Sequence, residues 1–302
     1  MQGDTTERSP VQNGMLANIG SRLRAYWALI KSLQTALLLV TGLAGFISSR
    51  CPFLNLEMVL AVGGSLFLSI SGSTVLNMWY DRDLDAMMER TCWRPLPSGR
   101  IQPRRALIFG LILSVAGVGW ALSLDYLYGI VVFAGLFFDV VVYTIWLKRR
   151  TAWSIVWGGI SGGMPILAGR VLGIGEIEWV GLLLMLAVIL WIPTHILTYN
   201  MRYAADYSRA GVPTFPSVYG FETTRKIIAI SSAIAAVSMG VASIGVGMTI
   251  GYLRLIIVLS VGLFLLAGRV VFNPSERLNY GLFKYASLYM LSSMLLLAAE
   301  AF

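Results

Sequence analysis

The stretch EMVLAVGGSLFLSISGSTVLNMWYDRDLD, residues 57–85, runs apolar from Met58 to Leu76 and then ends in three oxygen-bearing side chains four positions apart, Asn77, Asp81 and Asp85. A run of that length matches the roughly 20 residues a helix needs to cross a bilayer. On a helix, residues four apart share one slowly drifting stripe. The three side chains can therefore converge at one end of a membrane span. Asn77 falls within or next to the apolar zone, where a polar group is costly and usually functional. Asp81, Asp83 and Asp85 taken singly read as solvated charges at a helix exit. As a set with Asn77, the stripe reads as a cation site.

Working outward, the rest of the chain has the same character. It is 57% hydrophobic and 13% charged over 302 residues, against roughly 25% charged in a typical soluble domain. Apolar runs at 26–49, 57–79, 104–123, 126–147, 153–172, 177–200, 227–248, 251–271 and 280–301 predict an all-α polytopic membrane protein with nine transmembrane helices around a central cavity. Residues 1–22 are read as a loosely ordered polar tail without the apolar segment of a cleavable leader, and 23–302 as a single membrane domain.

Basic residues test that topology, because cytoplasmic loops hold most Lys and Arg. With the N-terminus inside, the inner loops carry Arg82, Arg90, Arg94, Arg100, Arg104, Arg105, Lys148, Arg149, Arg150, Arg202, Arg209, Arg225, Lys226 and Arg277. The outer side receives chiefly Arg50, Arg170 and Arg254. The expected setting is thus the cell membrane, with the N-terminus and the Asn77–Asp85 end cytoplasmic. The net charge of +8 lies in short clusters between spans, which points to lipid headgroups or an anionic substrate and not to nucleic acid. Cys51 and Cys92 have no partner that would suggest a disulfide or a zinc site.

The stripe has a definite chemistry. Mg²⁺ takes oxygen ligands, commonly one or two carboxylates plus phosphate oxygens of a substrate. Asn77, Asp81 and Asp85 are its candidate ligands, and Arg90 and Arg94 follow closely with guanidinium forks suited to phosphate. Each arginine also reads as a headgroup anchor. Asp139 lies inside the fourth span, in FFDVVVY, as an intramembrane carboxylate that is either functional or a hydrogen-bonded structural group. His195, the one histidine, sits in an apolar run after Pro193 and by spacing alone reads as packed core.

The segment 77–100, NMWYDRDLDAMMERTCWRPLPSGR, resembles the first aspartate-rich motif of the UbiA-type intramembrane prenyltransferases, in the form carried by the branch that farnesylates haem. Two further segments are similar to that family: YTIWLKRRT from Tyr143 with Gly158, Gly159, Gly162 and Pro165 after it, and WIPTHI from Trp191 through Asp206-Tyr207 to AGVPTFPSVYG. With Lys31, Gln34 and Thr35 in the first span, the resemblance covers about residue 26 to the end. It implies a farnesyl or longer prenyl diphosphate donor, Mg²⁺ as cofactor, and haem b as an acceptor whose vinyl group is alkylated to give haem O. It also implies Lys148 facing the diphosphate, Tyr143 or Thr144 lining the cavity, Asp206 as a further metal partner, and Lys31, Arg202 and His195 as substrate contacts, His195 as a haem ligand or proton carrier. A haem A synthase or a second copy of the chain are the implied protein partners.

Three departures accompany these matches. Met78 follows Asn77 where quinone-type relatives place Asp. The second motif offers Asp206, with His195 and Arg202 upstream, where those relatives carry several aspartates. Ile196 follows His195 where an aromatic is more usual. Prenylation of a quinone precursor or a glycerol lipid is the alternative activity. A transporter is the alternative of a different class, but transporters are often built from internal repeats, and the 77–85 motif has no second copy.

Overall fold

The computed structural model describes residues 10–52 and 54–301, with side chains described from residue 20. Among them the chain is entirely helical: α1 (Pro10–Leu29), α2 (Ser32–Ile47), α3 (Leu56–Tyr80), α4 (Arg82–Met87), α5 (Pro103–Leu124), α6 (Tyr126–Phe137, continued by a π-helical segment Phe138–Leu147), α7 (Ser154–Ile174), α8 (Trp179–Arg202), α9 (Ala204–Arg209), α10 (Phe215–Val246), α11 (Ile250–Phe272) and α12 (Glu276–Ala299). Eight helices among the described residues are long and apolar enough to cross a membrane, and the bent pair α1 and α2 supplies a ninth. The protein is a multi-pass membrane protein.

Three boundaries differ from those read in the sequence. The expected polar tail is helical from Pro10, and its first nine residues lie outside the described ones. The first span is not one helix, because the chain turns by 52° between α1 and α2. Lys31 sits at that break with φ 49°, and the freed Ile30 carbonyl accepts from Thr35 Oγ1 at 2.7 Å and Thr74 Oγ1 at 3.3 Å. A buried carbonyl without such partners would be costly in an apolar setting. α10 begins at Phe215 instead of 227, since Thr214 and Ser217 form a reciprocal cap and Gly220, at φ 79°, kinks the first turns away from the span.

Between helices in lipid, association rests on close packing and polar contacts, because apolar side chains gain nothing by leaving lipid. α2 accordingly lies against α7, α3 against α5 and α8 against α10. A Cβ on Gly45 would collide with the Ile166 carbonyl, and one on Gly169 with the Gly42 carbonyl. These backbones touch only because no side chain intervenes.

Two arginines on the face away from the acidic stripe are held in pairs. Arg170, 4% exposed, donates to Glu178 and to the Ser48 carbonyl, and Arg50 pairs with Glu300 at 2.9 Å. Cys51 is buried and Cys92 exposed, both as free thiols.

Candidate active site

The acidic stripe survives a change of helix. α3 ends at Tyr80, Asp81 is the joint, and α4 begins at Arg82. The backbone bonds from Asp81 N to Asn77 O, 2.9 Å, and from Asp85 N to Asp81 O, 2.8 Å, keep the four-residue register across the joint. Asp81 and Asp85 are both buried, and both have cations. Lys148 Nζ donates to Asp81 Oδ2, Arg149 lies 3.8 Å from Asp81 Oδ1, and Arg94 Nη1 donates to both oxygens of Asp85 at 2.9 Å. Burial alone would lower the Lys148 ammonium, but Tyr143 and the Asp81 carboxylate outweigh it and hold the group above its ordinary value. Lys148 is therefore the cation set beside the middle of the stripe.

Asp83 points the other way, half-exposed, and takes the Arg149 fork at 2.7 Å on each oxygen. That fork is the main cause holding its carboxyl below the usual range. Arg149 also donates to the Tyr80 carbonyl at 3.1 Å. The connector after the π-helical segment is thereby strapped to the α3–α4 joint. Asn77 is fixed from the same segment: its Nδ2 donates to Asp139 Oδ2 and its Oδ1 accepts from Thr144, each at 2.8 Å. Lys31, at the α1–α2 break, lies within electrostatic reach of Asp85, Asp139, Arg94 and Lys148. Tyr143 packs over Gly158, with the Lys148 ammonium 5.6 Å from its ring centre. Asn77, Asp81, Asp85, Arg94, Lys31, Tyr143, Thr144 and Lys148 thus form one cluster.

The remaining predicted residues sit across from it. Arg90 does not stand free toward a phosphate. Its guanidinium lies 5.4, 5.6 and 5.2 Å from the rings of Tyr199, Tyr203 and Tyr207 and donates to the Tyr207 hydroxyl at 3.0 Å. Arg202 does not pair with Asp206, although they are four apart; it stacks on Tyr280 at 4.4 Å, and Asp206 takes Arg209 at 2.7 Å instead. Arg209 also donates to Glu89 at 2.8 Å, which joins the two connectors. His195 stacks on Phe283 at 4.4 Å and lies 5.2 Å from Trp191, with Nδ1 3.3 Å from Ser287 Oγ.

Among the described residues no three His, Cys, Asp or Glu side chains converge closely enough to hold a metal by themselves. Asp206 in particular is tied to Arg209 and does not join Asp81 and Asp85 in a ready cage. The donor set still fits a hard cation that borrows phosphate oxygens. Asp81 Oδ1 is buried without a hydrogen-bond donor, and a buried unsatisfied carboxylate oxygen is expensive to leave so.

Sequence reading missed the tyrosines at 199, 203 and 207, whose four-residue spacing marks one helix face, and Ser73, which donates to Asp139. The first had a visible signal. The second depends on how α3 and the π-helical segment meet.

Known proteins share the sequence and the fold of this chain. A protoheme IX farnesyltransferase of Archaeoglobus fulgidus is 40% identical over 276 residues, covering 91% of this chain and 95% of that one. Its counterpart in Korarchaeum cryptofilum is 41% identical over 206 residues, 68% and 69% of the two chains. A solved digeranylgeranylglyceryl phosphate synthase superposes with a TM-score of 0.77 at 21% identity, covering 93% of this chain and 99% of that one. A UbiA homolog from A. fulgidus bound to GPP and Mg²⁺ superposes with a TM-score of 0.68 at 17% identity, over 91% and 99%. At such identities the superpositions speak for the fold alone. The pattern of the UbiA prenyltransferase family matches residues 38–288, which take in every residue of the cluster except Lys31, and the chain belongs to that family.

Proposed function

We propose that this protein transfers a farnesyl group from farnesyl diphosphate to a vinyl group of haem b, giving haem O, with Mg²⁺ bound between its acidic stripe and the diphosphate. The observation that carries the donor half is the Asp81 carboxylate, held through Oδ2 by Lys148 while Oδ1 stays buried without a donor. Asn77, Asp81 and Asp85 would hold the metal. When bound, Mg²⁺ supplies Lewis-acid stabilisation of the charge that develops on the leaving diphosphate.

The chain's own groups do the rest. Lys148, with Arg94 and Lys31 near, sets positive charge where the diphosphate accumulates it, in a setting poor in water that strengthens each interaction. The allylic C–O bond breaks with its electron pair leaving on diphosphate. The haem vinyl π-electrons form the new C–C bond, and water adds to the resulting cation with loss of a proton. Tyr143, braced against Gly158, walls the space beside Lys148.

The acceptor half rests on the identity to relatives named for protohaem and on His195. Ser287 Oγ lies 3.3 Å from its Nδ1, and Trp191 and Phe283 flank the ring; His195 would hold the haem iron through its other ring nitrogen. Asp206 and Arg202 border the site from the second connector. The positive-inside pattern supports a cytoplasmic position for both connectors.

The deciding experiment incubates membranes containing the protein with haem b, farnesyl diphosphate and Mg²⁺ and seeks a farnesylated haem by mass. The expected result is a Mg²⁺-dependent product carrying farnesyl and one water. Product from aromatic or glycerol acceptors, with none from haem, would overturn the haem assignment.

A further inference from the structure

Asp139 lies on the helix opposite the acidic stripe, where α6 gives way to its π-helical segment. In α-helical register, positions 139 and 144 point to different sides. A π register bonds i to i+5, so residues five apart stack roughly above one another, and Lys148 N accordingly bonds Tyr143 O at 2.8 Å. Asp139 and Thr144 therefore both meet Asn77.

The contacts have a fixed polarity. A carboxyl oxygen facing N–H and O–H donors accepts from them. Asp139 Oδ2 accepts from Ser73 Oγ and from Asn77 Nδ2, two donors one turn apart on α3. Because the amide nitrogen is committed to Asp139, the Asn77 carbonyl oxygen is the end that remains, with Thr144 Oγ1 2.8 Å from it and 2.8 Å from the Asp139 backbone carbonyl, the two acceptors sharing its one proton. A carbonyl oxygen has a second lone pair, and a cation can use only that end of the amide. Without Asp139 the amide is free to turn its NH₂ toward the cation.

We propose that Asp139 is a positioning residue, fixing the Asn77 side chain with its oxygen presented to the divalent cation. It acts through Asn77 and touches neither metal nor substrate. This rests on reading Asn77 as a metal ligand.

The test uses the full chain in lipid nanodiscs with an unreactive thiolodiphosphate analogue of farnesyl diphosphate. The readout is the Mg²⁺ concentration giving half of the ligand-dependent rise in Tm, which needs no turnover. Asn77→Ala and Asp139→Leu should each raise that concentration about tenfold or more, the usual effect of losing a group that orients a metal ligand. The double variant Asn77→Ala/Asp139→Leu should bind no worse than Asn77→Ala. The exchange Asn77→Asp/Asp139→Asn restores an amide–carboxylate bond with its direction reversed. It should recover most of what Asn77→Asp alone loses by setting two carboxylates together, even if Asp139→Leu fails to fold. If Asn77→Ala weakens Mg²⁺ while Asp139→Leu leaves it unchanged, or if the exchange is no better than Asn77→Asp, the positioning role is wrong. If Asn77→Ala itself leaves Mg²⁺ dependence intact, Asn77 is not a ligand and the proposal falls with it.

Discussion

Lys148 and Asp81, 67 positions apart in the chain, meet in an ion pair that leaves one buried Asp81 oxygen without a donor. The pair engages Asp81 through Oδ2 and leaves Oδ1 as a ligand position. Replacing Lys148 by Met removes a fixed charge facing the departing diphosphate. Turnover should fall about 100-fold, the scale for losing one preorganised electrostatic partner. Single-turnover kinetics with farnesyl diphosphate measure it, and a loss confined to KM would contradict the role.

Asp83, two residues further on, should be dispensable for chemistry. Its Arg149 fork lies at the surface, and exposed pairs contribute little. Asp83→Asn should keep turnover within about twofold of the parent, consistent with that small contribution.

The same pair sets a pH dependence. The Asp83 carboxyl is lower in the folded protein than in the unfolded chain, so its stabilisation is present above the ordinary carboxylate range and is lost as pH falls through the lowered value. The Tm difference between the parent and Asp83→Asn should be constant from neutral pH down to that range and shrink below it. A difference that grows on acidification would have the wrong sign.

Arg90 stacks among three tyrosines and holds the connector after α4 against α8 and α9. Arg90→Ala should cost about 1.5–3 kcal/mol of stability, at roughly 0.5–1 kcal/mol for each of the three cation–aromatic contacts. It should also expose residues 88–102 to proteolysis. Arg90→Lys should rescue only in part, because an ammonium lacks the flat face that stacks. Cleavage patterns at matched temperature decide this.

His195→Ala should weaken haem b binding about tenfold, equivalent to about 1.4 kcal/mol, and alter the spectrum of bound haem. Binding of the prenyl diphosphate analogue should be unaffected, since no contact joins His195 to the Asn77–Lys148 cluster. Unchanged haem affinity and spectrum would return His195 to a packing role.

Much of this molecule was legible before its coordinates. The length of the apolar runs gave the span count, and the four-residue spacing of Asn77, Asp81 and Asp85 placed them on one stripe even though the helix breaks at Asp81. The break at Lys31 was not legible, because a lysine in left-handed backbone leaves no mark on hydropathy. Arg90 was read as a phosphate fork and Arg202 as a substrate contact, and the aromatic rings that pack against both come from helix packing that charge does not reveal. Asp139 read as isolated along its own span, and its partners Ser73 and Asn77 come from another helix.

The π-helical segment between Phe138 and Leu147 implies a constraint on the gene as well as on the protein. Deleting one codon there would shorten the segment by one residue and, unless the turns rewound to compensate, would rotate all that follows by about 100°. Lys148 would swing off Asp81 and Arg149 off Asp83, although every residue type in the site remained. This stretch should therefore accept many substitutions among apolar residues such as Val140, Val141 and Ile145 while rejecting changes of length, so that its reading frame through the membrane is kept by count and not by composition.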